Sequence, residues 1–222
     1  MSVQENLIEL KRSLPEGVTL VAVSKTKPAE VIMEAYTAGQ RAFGENKAQE
    51  LIAKHPELPE DIEWHFIGHL QTNKVKFLVP FVHMIHGVDS FKLLREINKR
   101  ASPENKNIKC LLQFHIAEEE TKFGLSLEEA EELLAEMEKQ ELKNVHICGV
   151  MGMATFTEDE QQVRKEFRHL REIFLTLKSG HFAADEQFRE ISMGMSNDYL
   201  IAVEEGSTMV RIGTAIFGER NK

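Results

Sequence analysis

Eight short apolar runs of β-like composition recur along this 222-residue chain, and stretches with helical spacing separate them. The runs lie at 18–24, 41–43, 62–67, 82–87, 108–115, 145–150, 188–192 and 208–212. The helical stretches lie at 28–38, 45–54, 70–78, 90–101, 126–139, 159–178 and 197–205. Alternation of this kind, without a long linker, predicts a parallel sheet, because each parallel return needs a crossover. Eight such units close naturally as an α/β fold of the (β/α)8 TIM-barrel type, here with an extra amphipathic N-terminal helix in MSVQENLIELKRSL. An open doubly wound sheet is the alternative. No repeat, low-complexity tract or Gly/Ser linker interrupts the pattern, so one domain over residues 1–222 is expected.

Local punctuation agrees with these boundaries. Pro28 suits the first turn of a helix and Gly39 its end. Ser126 followed by Glu129 reads as a capping box, and the charged face of LEEAEELLAEMEKQELK as solvated surface. Hydrophobic residues make up 42% of the chain, enough for a sizeable core. With 27 basic and 36 acidic residues the formal charge is −9, which opposes non-specific nucleic-acid binding. No apolar stretch approaches the ~20 residues of a membrane span, and the N-terminus lacks a signal-peptide layout. Cys110 and Cys148 sit in apolar runs and read as buried thiols in a reducing compartment. The expectation is a cytoplasmic monomer with neither nucleic-acid nor membrane partners.

Chemistry concentrates at the ends of the first and last strands. VTLVAVSKTKP (18–28) places Lys25 where an apolar strand leaves the core, at the C-terminal mouth that barrel enzymes use. Partial desolvation there frees a lysine amine for attack on a carbonyl. Lys27, just before Pro28, is the weaker candidate. SMGMSNDY (192–199) and MVRIGTAIFG (209–218) follow strands seven and eight with Gly, Ser and Thr, a composition suited to holding phosphate. Either loop alone reads as an ordinary βα turn; the two in this order read as a phosphate cup. A carbonyl-seeking lysine opposite a phosphate cup suggests pyridoxal 5′-phosphate (PLP). Arg211, inside strand eight, should face something polar in the mouth. Its candidates are a ring nitrogen of the ligand or a structural carboxylate such as Glu45.

AVSKTKP (22–28), FGENKAQE (43–50), WHFIGHLQTNK (64–74), SMGMSNDY (192–199) and VRIGTAIFG (210–218) together resemble the pyridoxal phosphate homeostasis protein family, over essentially the whole chain. The resemblance implies a fold-type III PLP barrel, like the N-terminal domain of alanine racemase without its second, β-rich domain. Carried over by motif, Lys25 forms the Schiff base with PLP, and Ser196, Gly213 and Thr214 hold its phosphate. Arg211 meets the pyridine nitrogen and Asn46 contacts the cofactor or its surroundings. His69 either lines the cavity or lies on the surface. The chain departs from the family pattern at His115, Phe123 and GVMGMATF (149–156), which puts the wall near strands five and six in question.

Three functions compete: a non-catalytic PLP carrier, a PLP-dependent racemase or decarboxylase, and a Schiff-base aldolase acting on a phosphorylated sugar. Racemisation needs an acid/base on each face of the substrate. The chain ends four residues after its last barrel motif, so the domain that supplies the second group in alanine racemase is expected to be missing. An arginine at the pyridine nitrogen also weakens the electron sink that carbanion chemistry uses. The carrier is therefore expected, with apo-PLP enzymes as acceptors. No metal is expected: His65 and His69 lie on a strand and loop rather than on one helix face with a glutamate between them, and His83/His86 lack a carboxylate at ligand spacing.

Overall fold

The computed structural model describes residues 2–118 and 123–219. Helix α1 (Val3–Ser13) precedes eight parallel strands: β1 (Thr19–Val23), β2 (Ala42–Glu45), β3 (Glu63–Phe66), β4 (Val82–Val88), β5 (Ile108–Gln113), β6 (Val145–Met151), β7 (Glu190–Ser192) and β8 (Met209–Ile212). Each strand pairs with the next, and β8 pairs with β1 to close the barrel. The expected (β/α)8 barrel is thus observed rather than the open sheet.

The crossovers carry α2 (Ala29–Thr37), α3 (Ala48–Lys54), α4 (Val75–Leu78), α5 (Phe91–Ala101), α6 (Leu127–Lys139), α7 (Glu160–Ser179) and α8 (Tyr199–Glu204), with α9 (Thr214–Phe217) after β8. The main core, including Phe43, Trp64, Phe66, Leu94 and Phe167, gathers the outward strand residues against the helices. A second cluster of Val21, Ala42, Met84, Leu111, Cys148 and Met209 takes the alternate, inward positions. The cysteines therefore sit on opposite faces of the sheet, both buried and both free thiols. Burial pushes the Cys148 thiol up to about 11 and Cys110 higher still.

The capping box of α6 forms as the Ser126/Glu129 spacing predicts. A second one, Ser2 with Glu5, starts α1, whose Leu7 and Leu10 are buried. Asn6 Nδ2 donates to Ile216 O at 3.0 Å and ties α1 to α9. Two expectations shift. Pro28 occupies the N-cap of α2 rather than its first turn. β5 stops at Gln113 instead of 115: the Phe114 N–H still donates to Met151 O on β6 at 2.8 Å, but Phe114 bridges Leu125 and pairing with β6 goes no further. Among the described residues, no helix is long and apolar enough to cross a membrane.

Candidate functional site

The C-terminal ends of the strands surround a cavity of about 490 Å³. All six residues singled out from the sequence (Lys25, Asn46, Ser196, Arg211, Gly213 and Thr214) line it, and so does His69.

Lys25 sits half-buried in a tight turn beyond β1, closed by the Lys27 N–H donating to Ser24 O at 3.0 Å. Thr26 at the next position has φ 66°, a left-handed conformation unfavourable for a β-branched residue. A buried ionic knot holds the turn in place. Lys54 Nζ donates to Ser24 O at 2.9 Å, Glu45 Oε1 at 2.7 Å and Glu50 Oε1 at 2.6 Å. Ser24 Oγ donates to the same Glu45 oxygen at 2.6 Å, and the Thr26 N–H donates to Glu50 Oε1 at 2.5 Å. Both flanks of Lys25 are thereby fixed from α3 and β2. Burial raises the Glu45 carboxyl above its ordinary range, while Lys54 and Ser24 pull it back down. Lys27 is committed elsewhere: its Nζ donates to Phe217 O at 3.0 Å and to Glu219 O at 3.1 Å, beyond the last turn of α9.

Beside the lysine turn, across the β1–β8 pairing, lie the loops after β8 and β7. The loop after β7 turns on Gly194, at φ +96°, where a Cβ would lie 2.6 Å from Ala202 Cβ. Asp198 Oδ1 accepts the Met195 N–H at 2.5 Å and shapes the loop. The N–H groups of Ser196, Asn197, Gly213 and Thr214 meet no acceptor among the described residues, and all four residues line the cavity. At Gly213 a Cβ would come 3.0 Å from Val23 O, so glycine lets β8 close against β1 at this level.

Arg211 points inward beside Val21 and is buried. It does not pair with Glu45, whose partners are Ser24 and Lys54. Its guanidinium donates to Ser192 Oγ at 2.6 Å and to Gly152 O at 3.0 Å. Burial lowers its pKa to about 10, which leaves it cationic at neutral pH. Ser192 Oγ also meets His86 Nδ1 at 3.0 Å, and His86 Nε2 meets His65 Nδ1 at 2.8 Å. A buried polar thread thus runs from the mouth into the barrel interior. Burial depresses both imidazoles, His65 to about 3, so both are neutral.

The wall near strands five and six is the one that the sequence departures put in question. His115 is exposed and does not line the cavity, whereas Phe123 does. Phe123 stacks on His69 at 4.8 Å between ring centroids, and His69 Nδ1 meets Asp89 Oδ2 at 3.1 Å. Gln113, Met153 and Phe156 also line the cavity; Met153 and Phe156 lie in the GVMGMATF stretch flagged from the sequence, whereas Gln113 was not singled out. Gln113 Nε2 donates to Phe123 O at 3.0 Å and fixes this edge. A polar residue ending an apolar strand could have signalled Gln113.

The alanine racemase N-terminal domain family matches residues 1–221. Pyridoxal phosphate homeostasis protein from Aquifex aeolicus is 44% identical over 202 residues, covering 90% of this chain and 86% of that protein. The human protein of that name is 41% identical over 233 residues, covering 99% and 83%. Among solved structures, PipY of Synechococcus elongatus with PLP bound aligns with a TM-score of 0.88 at 37% identity, covering 98% of this chain and all of that one. Alanine racemase from E. faecalis aligns with a TM-score of 0.77 at 18% identity and shares the fold, this chain spanning 58% of its length.

Proposed function

This chain belongs to the pyridoxal phosphate homeostasis protein family, and from that premise we propose that it is a PLP carrier, holding the cofactor in the barrel mouth for intracellular vitamin B6 homeostasis. The observation that carries the reading is one cavity lined by the Lys25 turn on one strand end and by two loops rich in unengaged N–H groups on the last two. Its size lies within the ordinary range of small-molecule sites. PLP bound in the PipY relative supports the same ligand.

PLP supplies an aldehyde that condenses reversibly with a primary amine, and a phosphate dianion. Lys25 provides the amine, held by a turn that the Lys54 knot keeps from drifting. The hydroxyls of Ser196 and Thr214 and the N–H groups beside them donate to the phosphate, as charge-assisted hydrogen bonds. Arg211, anchored by Ser192 and Gly152, presents a permanent donor to the pyridine nitrogen. A guanidinium can donate there but cannot give up its proton, so it withholds the ring protonation that carbanion chemistry exploits. Asn46 borders the ligand at the end of β2.

Retention without turnover follows from the remaining groups. Among the described residues, the titratable side chains lining the cavity are Lys25, His69, Asp198 and Arg211. Asp198 is engaged by the Met195 N–H, and His69 lies at the rim against Asp89 and Phe123. A racemase or decarboxylase reading therefore rests on His69 or Asp198 as the second acid/base. The carrier acts as a cytoplasmic monomer that releases PLP to apo-enzymes.

The test is borohydride reduction of the PLP-loaded protein, followed by peptide mapping. Label on Lys25, absent in Lys25→Ala and unchanged in Lys27→Met, is the expected result; label on Lys27 refutes the assignment. Incubation with single L- and D-amino acids should give no α-deuterium exchange beyond free PLP. Robust exchange that His69→Ala or Asp198→Asn abolishes would establish the enzyme instead.

A further inference from the structure

We propose that Glu63, His65 and His83 form a binding site for a divalent transition-metal ion at the end of the barrel opposite the PLP cavity. Glu63 opens β3, His65 lies two residues further along it, and His83 is the second residue of β4. No sequence spacing joins these three, but the parallel pairing of β3 and β4 does. Their register shifts between Trp64↔Val82 and His65↔Met84, leaving His83 at the irregularity. Such a bulge re-aims a side chain, and here the two imidazoles come within 5.3 Å between ring centroids. One potential ligand atom from each residue lies within 4.8 Å of the other two. Tetrahedral Zn²⁺ with bonds of about 2.0–2.2 Å needs ligand atoms roughly 3.4 Å apart. The exposed Glu63 and half-buried His83 side chains are free to close that difference.

An independent observation marks the place as a ligand site. His65 Nε2 is buried and has no hydrogen-bond partner among the described residues. The ring cannot turn to relieve it, because Nδ1 is held by His86 Nε2 at 2.8 Å, and His86 in turn by Ser192. When His65 donates from Nδ1 to His86, and His86 donates from Nδ1 to Ser192 Oγ, the lone pair of His65 Nε2 is left without a donor. A metal ion satisfies that lone pair, and the His65–His86 contact fixes the tautomer and ring orientation, as the outer-shell hydrogen bond of a ligating imidazole does. Two imidazoles and one carboxylate at a partly open position suit Zn²⁺ or a similar ion, with water completing the shell. Lys109 acts electrostatically on both histidines and opposes the cation, so its charge moderates the affinity.

The experiment uses the full chain without an affinity tag, stripped of metal by a chelator. Zn²⁺ is titrated in competition with a chromophoric indicator, and Co²⁺ is added separately as a spectroscopic probe. One equivalent of Zn²⁺ per chain is expected, with a visible Co²⁺ spectrum of four-coordinate type. Affinity should fall at least tenfold in His83→Ala and in Glu63→Gln, and rise in Lys109→Gln. Loading with PLP, read by absorbance, should be unchanged in these variants, which separates this site from the barrel mouth. Absence of stoichiometric binding, or binding that both His83→Ala and Glu63→Gln leave intact, overturns the proposal. If His83→Ala perturbs the fold by circular dichroism, the exposed Glu63→Gln decides.

Discussion

Replacing Lys54 with alanine removes one cation from three acceptors at once. Its side chain is 10% exposed and that of Glu45 is 0% exposed, so the pair is well inside the protein. Breaking one partner of a buried ion pair leaves the other uncompensated and costs about 3–5 kcal/mol. Glu45 has little to fall back on: its Oε2 already lacks a partner among the described residues, leaving only the Ser24 hydroxyl on Oε1. For a chain of this size, each kcal/mol lowers Tm by roughly 2–4 °C, so a drop of roughly 6–20 °C at neutral pH is expected. The pH dependence is specific. Burial already holds the folded carboxyl above 4.5, and loss of Lys54 raises it further. A raised carboxyl is most compatible with the fold when protonated and loses stability as pH rises through its folded value. The deficit of the variant is therefore largest at neutral pH and narrows as the medium is acidified towards 4.5. The assay is urea unfolding of wild type and Lys54→Ala between these limits, with Glu45→Gln/Lys54→Met as the neutral replacement of the pair. The double variant should recover most of the loss. A Lys54→Ala midpoint close to wild type at neutral pH, or a deficit that does not change with pH, would refute the reasoning.

Further variants probe the loop after β7. If Ser196 donates to the phosphate as proposed, Ser196→Ala loses a charge-assisted hydrogen bond worth about 1.5–3 kcal/mol and should weaken PLP retention about 10- to 150-fold, measured by equilibrium dialysis. Gly194→Ala forces a side chain at φ +96° against Ala202, so a loss of about 1–3 kcal/mol is expected in thermal unfolding. Its PLP affinity should fall as well, because the same turn positions Ser196.

The barrel was readable from sequence because strands buried on both faces leave unbroken apolar runs, while their crossover helices carry a different period. β5 was overextended for the same reason: Phe114 is apolar and buried, yet it bridges Leu125 and pairing with β6 goes no further. Lys25 and the Ser196 and Thr214 loops were legible because a polar residue or a Gly/Ser turn at a strand end interrupts that pattern. Gln113, Met153 and Phe156 carry no Gly/Ser turn or strand-end lysine, so the sequence marked the 149–156 stretch only as a departure from the family pattern. The ionic knot behind Lys25 and the Glu63–His65–His83 cluster were invisible for another reason. Apart from Glu50 and Lys54 at i,i+4 on α3 and Glu63 and His65 two apart on β3, their members are joined by packing between elements and by a register shift, which leave no spacing along the chain.

The placement of the cavity has a consequence for folding kinetics. Lys25 follows the first strand and Thr214 the last, so a ligand held by both spans the seam where the barrel closes. That seam has a thin side, since β7 has three residues and pairs with β8 only at Ser192↔Met209. Its contacts join residues about as far apart in sequence as the chain allows, and contacts of that kind form late. PLP can engage both walls only after closure, so it should slow opening of the ring while leaving the rate of its formation almost unchanged. Its effect on equilibrium stability then grows with the logarithm of free PLP concentration, and cofactor supply sets the lifetime of the closed ring.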